Sequence, residues 1–463
     1  MFALGHELTQ TPPHKFDLAH MRVLLTALEN PERRFPSVLI AGTNGKGSTA
    51  ATLASILEAS GLRTGLYTSP HLIRINERIR IDGAEIEDDK FALLHDLVER
   101  TAERLVEDRE LPWHPSFFEM LTAMAFEHFA TSKLDIAVLE VGMGGRLDAT
   151  NVVEPRVSVI SDISLDHQKF LGSAIAEIAR EKAGIIRRRG VVVTLPQSPE
   201  ANTVIGNAIL ENDVIAINAA PYVPPVTPAS PPLWGSSHAE DQIRSEPDDA
   251  ADSDFAAALP GPISRYPLEV AGQGILVETP LIGRHQLRNL ALAIAAAEEL
   301  AKQGFPITPE SIARGIRETR WPGRFQVLRA TAQSPEIVLD VAHNPAGAWA
   351  LRSLLSSCYE DRRLVFVFGA MRDKAIAEIS QILFPLAESV IATCAQNPRS
   401  ATPEEIGQAA YGTGTEMETA ADVSSAIERA RQLAKLEGVV VVTGSIYVVG
   451  EAMQALGVEV DGK

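Results

Sequence analysis

The feature that most restricts the fold of this chain is a regular alternation of short apolar runs with segments in helical spacing. Residues 48–60 and 172–186 carry apolar side chains three and four positions apart, which predicts amphipathic helices. Short uninterrupted apolar runs are typical of strands buried on both faces of a parallel sheet. Such runs occupy residues 38–41, 136–139, 157–160 and 191–195. The alternation therefore predicts an open α/β sheet built from βαβ units.

The chain has 463 residues, which is more than one hydrophobic core usually serves. The alternation resumes late in the sequence, with apolar runs at residues 337–341, 364–368, 390–393 and 439–443. A helical pattern ends at Arg320-Trp321-Pro322-Gly323, where the proline and the glycine favour a break. We therefore expect a first domain over residues 1–320 and a smaller α/β domain over residues 321–463.

Residues 221–262 interrupt the pattern. They contain nine prolines and seven acidic residues but only one basic residue, Arg244. Few apolar groups are present to offset the entropy of ordering this stretch. We interpret it as a mobile surface insertion within the first domain.

Composition excludes several classes of function. The chain has 42 basic and 60 acidic residues and a formal charge of −18, whereas nucleic-acid binding requires a basic surface. Cys358 and Cys394 are the two cysteines and lack metal-binding spacing, as expected in a reducing cytosol. The amino end does not resemble a signal peptide, and no apolar run reaches the roughly 18 residues of a membrane span. We expect a cytoplasmic monomer without nucleic-acid or membrane partners.

A glycine-rich loop follows the first apolar run. Residues 38–41 enter as a strand, and Ser48 and Thr49 begin the helical pattern. Backbone amides of such a loop, the helix dipole and a lysine can together hold phosphates, and a hydroxyl can face a magnesium ion. The common P-loop pattern is not matched fully, because Ile40 stands where its first glycine is expected and Gly47 where a hydroxyl follows the lysine. An ordinary strand-to-helix turn is the alternative, but the order of the elements favours a nucleotide site. The proposed loop is Gly42, Thr43, Asn44, Gly45, Lys46, Gly47, Ser48 and Thr49.

Three polar residues fall at the ends of other apolar runs, namely Ser69, Glu140 and His167. Ligands of open α/β sheets collect beyond the carboxyl ends of the strands. A carboxylate buried there requires a cation, and magnesium bound to phosphate oxygens would provide one. We favour Glu140 as a magnesium ligand over a capped or salt-bridged glutamate. His167 is equally compatible with a hydrogen-bonded structural role.

Lys182 continues the apolar stripe of Ile175, Ile178 and Ala179 at helical spacing. A lysine on such a face usually extends its ammonium group to water, and the spacing alone favours that reading. A buried lysine would instead have a lowered pKa. Its neutral amine could then take up carbon dioxide and become a carbamate, which is an anionic metal ligand.

An ordered set of motifs gives a more specific indication. The motifs are Gly42-Thr-Asn-Gly-Lys-Gly-Ser48, Tyr67-Thr-Ser-Pro-His71, Glu140-Val-Gly-Met-Gly-Gly-Arg-Leu-Asp-Ala-Thr-Asn151, Asp166-His167 with Leu171-Gly172, Glu181-Lys-Ala-Gly184, His285-Gln286 with Asn289, Trp321-Pro-Gly-Arg324, Asp340-Val-Ala-His-Asn-Pro345 and Thr443-Gly-Ser445. This set resembles the folylpolyglutamate synthase and dihydrofolate synthase family, a branch of the Mur ligase superfamily. The resemblance covers nearly the whole chain outside residues 221–262.

The resemblance implies an α/β fold in which a P-loop-containing, Mur-ligase-type ATP-binding domain precedes a smaller Rossmann-like domain. It implies two magnesium ions, one on Ser69 and Glu140 and a second near His167. It also implies that Lys182 is carbamylated, which reverses the preference from spacing. Lys46, His167 and Lys182 would be the catalytic residues.

The same resemblance assigns nucleotide contacts to the later motifs. It places adenine near Asn289 and Arg324, and the ribose near Asp340 and His343. From the residues alone, Arg324 and Asp340 would form an interdomain ion pair, and both roles can coexist. The aromatic residues Trp113, Phe117 and Phe118 fit either a pterin pocket or the core. The roles of His71 and Asn76 stay open.

The implied activity is ATP-dependent addition of L-glutamate to the carboxylate of a reduced folate or dihydropteroate through an acyl phosphate. Two alternatives remain at this point. One is another Mur-type amide ligase, such as one that builds cell-wall peptides. The other is an ATP-driven switch that performs no ligation, although the Asp340 and His343 motif argues against it.

Overall fold

The computed structural model describes residues 17–224 and 262–458. The predicted insertion at 221–262 lies outside these residues except at its ends. The described residues form two compact units. The first unit contains residues 17–224, 268–275 and 285–319, and the second contains residues 262–267, 276–284 and 320–458.

The first unit is built on an eight-stranded sheet. Its strands are β1 Ser37–Ala41, β2 Thr64–Tyr67, β3 Ile79–Ile81, β4 Ala84–Glu85, β5 Ile136–Glu140, β6 Val157–Ile160, β7 Val191–Thr194 and β8 Ile215–Asn218. They lie in the order β4-β3-β2-β5-β1-β6-β7-β8. The six strands from β2 to β8 in this order are parallel, whereas β3 and β4 form an antiparallel edge. The predicted βαβ sheet is therefore confirmed. Strand β1 lies between β5 and β6, which brings the loops that follow these three strands to one edge.

The helices of the first unit cover the faces of this sheet. They are α1 Leu18–Ala27, α2 Lys46–Ala59, α3 Asp88–Glu107, α4 Phe117–Thr131, α5 Gln168–Leu171, α6 Ile175–Ala183, α7 Pro199–Asn212, α8 Arg284–Lys302 and α9 Pro309–Glu318. Helix α2 is buried along nearly its whole length, because its alanines allow close packing. Gly315 of α9 lies so close to the backbone of Ile56 that a Cβ atom would come within 2.4 Å of the Ile56 Cα.

The second unit is built on a six-stranded sheet with the order β11-β12-β16-β13-β14-β15. Its strands are β11 Gln326–Leu328, β12 Glu336–Leu339, β13 Leu364–Phe368, β14 Ser389–Ala392, β15 Met417–Thr419 and β16 Val439–Thr443, and its helices are α10 Pro345–Cys358, α11 Ile376–Leu383, α12 Pro403–Ala409, α13 Val423–Ala434 and α14 Ile446–Ala455. Strand β11 pairs antiparallel, and the others pair parallel. Two further strands, β9 Ser264–Val270 and β10 Gln273–Thr279, form a separate two-stranded sheet. The predicted α/β class is confirmed for both units.

Element boundaries differ from the sequence expectation at several places. Helix α2 begins at Lys46, two residues before the predicted Ser48, because Gly45 already serves as its N-cap. Helix α6 is shorter than the predicted 172–186, since Gly172 has a φ of 104° that ends the preceding turn. The edge strands β3 and β4 have three and two residues, which is too short for an apolar run to reveal.

Candidate functional site

The glycine-rich loop connects β1 to α2, as the sequence predicts. Gly45 is the N-cap of α2 and has a φ of 86°, a conformation that costs little only for glycine. A Cβ atom at this position would lie 2.0 Å from Oδ1 of Asn289. Position 45 therefore requires glycine for two reasons, the backbone conformation and the approach of α8.

The amides of this loop divide into two groups. The N–H groups of Thr43 and Asn44 donate to the carbonyl oxygen of Asp162, at 2.8 and 3.1 Å. Because these two amides already donate hydrogen bonds within the protein, they are not the loop amides that we expect to face phosphates. The amides in the first turn of α2, which begins at Lys46, have no acceptor within the helix. They are backbone donors that an anion can use, and the helix dipole adds to them.

Lys46, Glu140 and Ser69 meet beside this helix start. The Nζ atom of Lys46 lies 3.9 Å from Oε1 of Glu140 and donates to the carbonyl oxygen of Thr43 at 3.3 Å. The N–H of Ser69 donates to Oε2 of Glu140 at 3.2 Å. The pairing of β1 with β5 places Ile40 opposite Glu140, which is why residues so distant in sequence converge. Glu140 thus forms a salt bridge with Lys46, as the alternative interpretation expected. Its role as a magnesium ligand stays a prediction.

Lys182 is buried, with 3% of its surface exposed. Its Nζ atom donates to the carbonyl oxygen of Gly42 at 2.7 Å. Burial, followed by the charge of Lys46, lowers the pKa of Lys182 from 10.5 to about 7. The spacing-based expectation that this side chain extends into water is therefore wrong. The reason is tertiary, because α6 lies directly against the neighbouring loop, where a Cβ on Gly145 would approach the carbonyl oxygen of Glu181 within 2.7 Å.

His167 immediately precedes α5 and has a φ of 50°. Its Nε2 atom lies 3.9 Å from Oδ2 of Asp166. The charge of Asp166 also acts on Lys182, where it raises the pKa against the effect of burial. Within residues 17–224 and 262–458, no group of three or more His, Cys, Asp or Glu side chains has the arrangement of a metal site.

Asn289 lies on α8 and contacts the glycine loop. Its side chain abuts Gly45, and its carbonyl oxygen accepts from Oγ1 of Thr49 at 3.4 Å. Gln286 accepts from its Nδ2 at 2.9 Å and fixes the amide orientation. The structure therefore brings Asn289 to the predicted loop, although its contact with adenine stays a prediction.

Arg324, Asp340 and His343 all belong to the second unit. The Asp340 carboxylate is buried and accepts from the N–H groups of Phe325 and Ala342, at 2.8 and 2.9 Å. Burial raises its pKa, while the nearby charge of Arg324 and these hydrogen bonds act in the opposite direction. The alternative of an interdomain ion pair is wrong, because both partners lie in one unit. Nδ1 of His343 is 3.0 Å from the carbonyl oxygen of Val341.

The aromatic residues proposed for a pterin pocket do not form one cluster. Trp113 packs against His20, with ring centroids 4.5 Å apart. Phe118 lies against Tyr67 and Gly142, and the guanidinium of Arg78 lies over Phe117 at 5.5 Å. Phe117 and Phe118 also pack against the core, so the two readings of these rings are not exclusive.

His71 and Asn76 have well-defined structural contacts. Nδ1 of His71 accepts from Nε of Arg78 at 3.0 Å, and burial lowers the pKa of His71 to about 3. Asn76 donates to the carbonyl oxygen of Ile86 and to the carboxylate of Asp88, both at 2.8 Å. These contacts organise the segment that follows Ser69.

Sequence reasoning missed two carboxylates that shape the site. Asp148 is buried and accepts from the N–H groups of Met143 and Thr150, both at 3.0 Å, and burial raises its pKa. Asp162 holds the glycine loop through its carbonyl oxygen and binds Arg288 through its carboxylate. Asp148 lies inside one of the motifs, whereas nothing in the sequence links Asp162 to Arg288.

A helix that crosses a bilayer must be both long and predominantly apolar. Among residues 17–224 and 262–458, no helix combines the two properties.

Comparison with known proteins identifies the class of this fold and site. Residues 323–446 match the model of the Mur ligase, glutamate ligase domain. This part of the chain is thus a Mur-type ligase domain.

Full-length relatives narrow the class to one family. The chain is 34% identical to folylpolyglutamate synthase of Lacticaseibacillus casei over 448 residues, which cover 94% of each protein. It is 33% identical to dihydrofolate synthase/folylpolyglutamate synthase of Bacillus subtilis over 442 residues, or 95% of this chain and 94% of the relative. The chain belongs to this folylpolyglutamate synthase/dihydrofolate synthase family of ATP-dependent ligases. The family identified from the sequence motifs is confirmed.

Other relatives differ in length or are known as structures. Over 93% of its length, the chain is 35% identical to a probable bifunctional folylpolyglutamate synthase/dihydropteroate synthase of Haloferax volcanii. The matched region spans only 47% of that longer protein. A structure of Mycobacterium tuberculosis folylpolyglutamate synthase complexed with ADP and AMPPCP superimposes with a TM-score of 0.81 at 33% identity and 95% coverage of both chains. The two-domain Mur ligase fold predicted from the motifs is therefore confirmed.

Proposed function

We propose that this chain uses ATP to join L-glutamate to the carboxylate of a reduced folate or of dihydropteroate. The observation that carries the proposal is the group formed by the start of α2, Lys46, Glu140 and Lys182. The Lys46 ammonium and the first amides of a helix lie there beside one buried carboxylate, and the buried Lys182 side chain reaches the same loop. Such an arrangement suits a nucleotide triphosphate and its counterions.

The chemistry requires activation of an acid. A carboxylate is a poor electrophile, because attack by an amine would have to expel oxide. Transfer of the γ-phosphoryl group of ATP to the carboxylate produces an acyl phosphate and ADP. The amino group of glutamate then attacks the acyl carbon, phosphate leaves, and an amide forms.

Lys46 and the amides at the start of α2 would stabilise the phosphoryl group as its charge moves from ATP to the acceptor. Preorganised donors of this kind act strongly because they need no reorganisation during the reaction. Gly45 allows the helix start to reach the anion, and Asn289 keeps the loop in place from α8. A covalent protein nucleophile is not needed for this sequence of steps.

The residues at this edge also fit magnesium. Glu140 is 4% exposed and lies 3.9 Å from the Lys46 ammonium, and a buried carboxylate of this kind supplies the anionic oxygen that magnesium prefers. Ser69 and Glu140 would hold one ion, and His167 with Lys182 would hold another. Magnesium would supply charge neutralisation on the transferred phosphoryl group.

Lys182 would serve as a carbamate in that second site. A pKa of about 7 leaves a substantial fraction of its amine neutral at neutral pH, and only a neutral amine adds carbon dioxide. As the nitrogen bonds to the carbon, one C=O π bond of carbon dioxide opens to give the carboxylate oxygen, and one nitrogen proton passes to water. The resulting anion would replace an ammonium group that donates to the Gly42 carbonyl and lies near the charges of Asp166 and Asp148.

We further propose nucleotide contacts for three residues of the second unit and one of the first. Asp340 and His343 would contact the ribose, and Arg324 would contact adenine together with Asn289. The division into domains at residues 1–320 and 321–463, a monomeric state and a cytoplasmic location remain parts of this proposal.

A direct assay tests the function. The purified full chain is incubated with Mg·ATP, L-glutamate and either dihydropteroate or a reduced folate, and ADP and the glutamyl conjugate are measured. We expect both to form in equal amounts with at least one acceptor. ATP hydrolysis that no acceptor accelerates would favour a switch, and product only with a cell-wall peptide precursor would favour another Mur-type ligase. Either result would refute the proposal.

A further inference from the structure

Arg288 and Asp162 form a two-pronged ion pair between α8 and the end of β6, 126 positions apart in sequence. Nε of Arg288 lies 2.9 Å from Oδ2 of Asp162, and Nη2 lies 2.5 Å from Oδ1. Nη2 also donates to the carbonyl oxygen of Pro196 at 3.1 Å. The side chains are only 31% and 30% exposed. This geometry is much better defined than that of an ordinary surface pair.

The backbone of Asp162 supports the glycine loop. Its carbonyl oxygen accepts from the N–H groups of Thr43 and Asn44. Ser164 adds a reciprocal contact, because its N–H donates to Oγ1 of Thr43 at 3.1 Å while its carbonyl oxygen accepts from the same hydroxyl at 3.0 Å. The position of residues 162–164 therefore determines the position of residues 43 and 44.

Helix α8 contacts this loop at a second point through the next residue. Asn289 abuts Gly45, where there is no space for a Cβ atom. Arg288 and Asn289 thus reach the loop from one rigid helix, the first by way of Asp162 and the second directly. Neither contact is apparent from the sequence, because the residues are distant along the chain.

We infer that Arg288 is a positioning residue of the nucleotide site, which holds the Asp162 peptide in place and thereby fixes the first half of the glycine loop. It also neutralises a carboxylate beside a site meant for an anion. The link to ATP rests on the proposed function, whereas the effect on the loop does not.

Loss of the guanidinium should loosen the loop without unfolding the chain. The Asp162 carboxylate is about one-third exposed and can be hydrated when its partner is removed. The peptide that accepts from Thr43 and Asn44 would then move more freely, and an unpaired negative charge would face the phosphates. We expect ATP affinity to fall by about three- to tenfold, in line with a partly exposed charge-assisted pair.

Three variants, Arg288→Ala, Asp162→Asn and the double variant, test this inference. The first readout is hydrogen exchange of the Thr43 and Asn44 amides in the absence of nucleotide. The second is the KM for ATP compared with kcat and with the KM for glutamate. We expect exchange at both amides to accelerate by at least about threefold, the KM for ATP to rise, and kcat and the KM for glutamate to change less than about twofold. The double variant should be no worse than either single variant, since all three remove one interaction.

Arg429 provides a matched control. It forms a comparable two-pronged pair with Glu418, at 2.7 and 2.8 Å, with 44% and 36% side-chain exposure, in the second unit. Arg429→Ala should leave exchange at Thr43 and Asn44 and the KM for ATP unchanged. If Arg288→Ala proved too unstable, Arg288→Lys would keep one contact and should give intermediate exchange.

Two results would overturn the inference. One is wild-type exchange at Thr43 and Asn44 in a folded Arg288 variant, and the other is an additive effect of the two substitutions. A wild-type protein that makes no glutamyl product would instead refute the proposed function. The exchange measurement would still decide the role of Arg288, because it requires neither ATP nor turnover.

Discussion

The ammonium group of Lys182 donates a hydrogen bond to the carbonyl oxygen of Gly42, 140 positions earlier in the sequence, at 2.7 Å. This contact connects α6 to the first residue of the glycine loop. It also explains why the side chain stays inside, since a buried amine requires an acceptor. The lowered pKa of Lys182 follows from the same burial together with the charge of Lys46.

The role of Lys182 as a carbamate can be separated from a role as an ammonium group. In Lys182→Ala, the cavity left by the side chain can admit a small molecule. We expect glutamyl product to form about 100-fold more slowly, and short carboxylic acids such as acetate to restore part of the rate, because they replace an anionic ligand. Rescue by ethylamine instead of acetate would show that the cation is the active form. Lys46→Ala serves as the control that acetate should not rescue.

Gly45 allows a prediction with a closely matched control. Gly45→Ala places a Cβ in a backbone conformation with φ of 86° and against Oδ1 of Asn289. Gly61 has a φ of 80°, but no heavy atom lies within 4 Å of the place that its Cβ would occupy. Gly61→Ala should cost about 1–2 kcal/mol from the backbone alone.

Gly45→Ala should cost about 1–3 kcal/mol more, because overlap with Asn289 adds to the backbone strain. It should also weaken ATP binding, which Gly61→Ala should not do. Urea denaturation and calorimetric titration with Mg·ATP measure the two effects. Equal stability of the two variants would contradict the close contact between α8 and the loop.

The sequence predicts the central strands of the first sheet well, and the reason is physical. Strands β1, β5, β6 and β7 are largely buried on both faces, so each is a continuous apolar run with a clear signal. The sequence predicts Ser69 and Glu140 each at the end of a strand, and the family resemblance implies their pairing in one site. The structure adds the reason that they meet, because β2 pairs directly with β5.

The remaining features depend on contacts that no local pattern records. The burial of Lys182 depends on how α6 lies against the loop at Gly145, and spacing alone led to the opposite expectation. The pair between Arg288 and Asp162 joins a partly exposed helix position to a loop. Such contacts arise only after the sheet and its helices have assembled.

The lowered pKa of the buried His128 leads us to predict that stability depends on pH. Burial, followed by the charges of Lys90 and Arg63, lowers the pKa of His128 to about 4 from 6.5. Between these two pH values the unfolded chain binds the proton and the folded chain does not, so stability falls as the pH decreases from 6.5 to 4. The contribution of His128 is fully present above the pKa of 6.5 that the unfolded chain has.

The variant His128→Gln should therefore lose less stability than the wild type between pH 6.5 and 4. One full proton corresponds to about 1.4 kcal/mol per pH unit, and the partial exposure of this ring reduces that figure. Urea denaturation at about pH 4.5, 5.5 and 7 measures the slopes. Thr131→Ala, which changes a residue without a titrating group at the end of the same helix, is the control and should leave the slope unchanged. Identical slopes for all three proteins would contradict the role of His128.

In the proposed mechanism, Lys46 is the residue whose loss should slow amide formation most clearly. We assign to its ammonium group the stabilisation of the phosphoryl group during transfer. This ammonium group lies between the Thr43 carbonyl oxygen and the Glu140 carboxylate. Lys46→Ala should lower the rate of amide formation by about 10²- to 10³-fold, which is the usual effect of losing one donor to a transition-state charge. The loss should appear mainly in kcat, since the helix amides still hold the ground-state nucleotide.

Lys302→Ala, which removes a mostly exposed lysine paired with Glu299 on α8, should retain the wild-type rate. A Lys46→Ala rate within about tenfold of wild type would mean that the helix amides and the metal ions suffice, and that the ammonium group has another purpose.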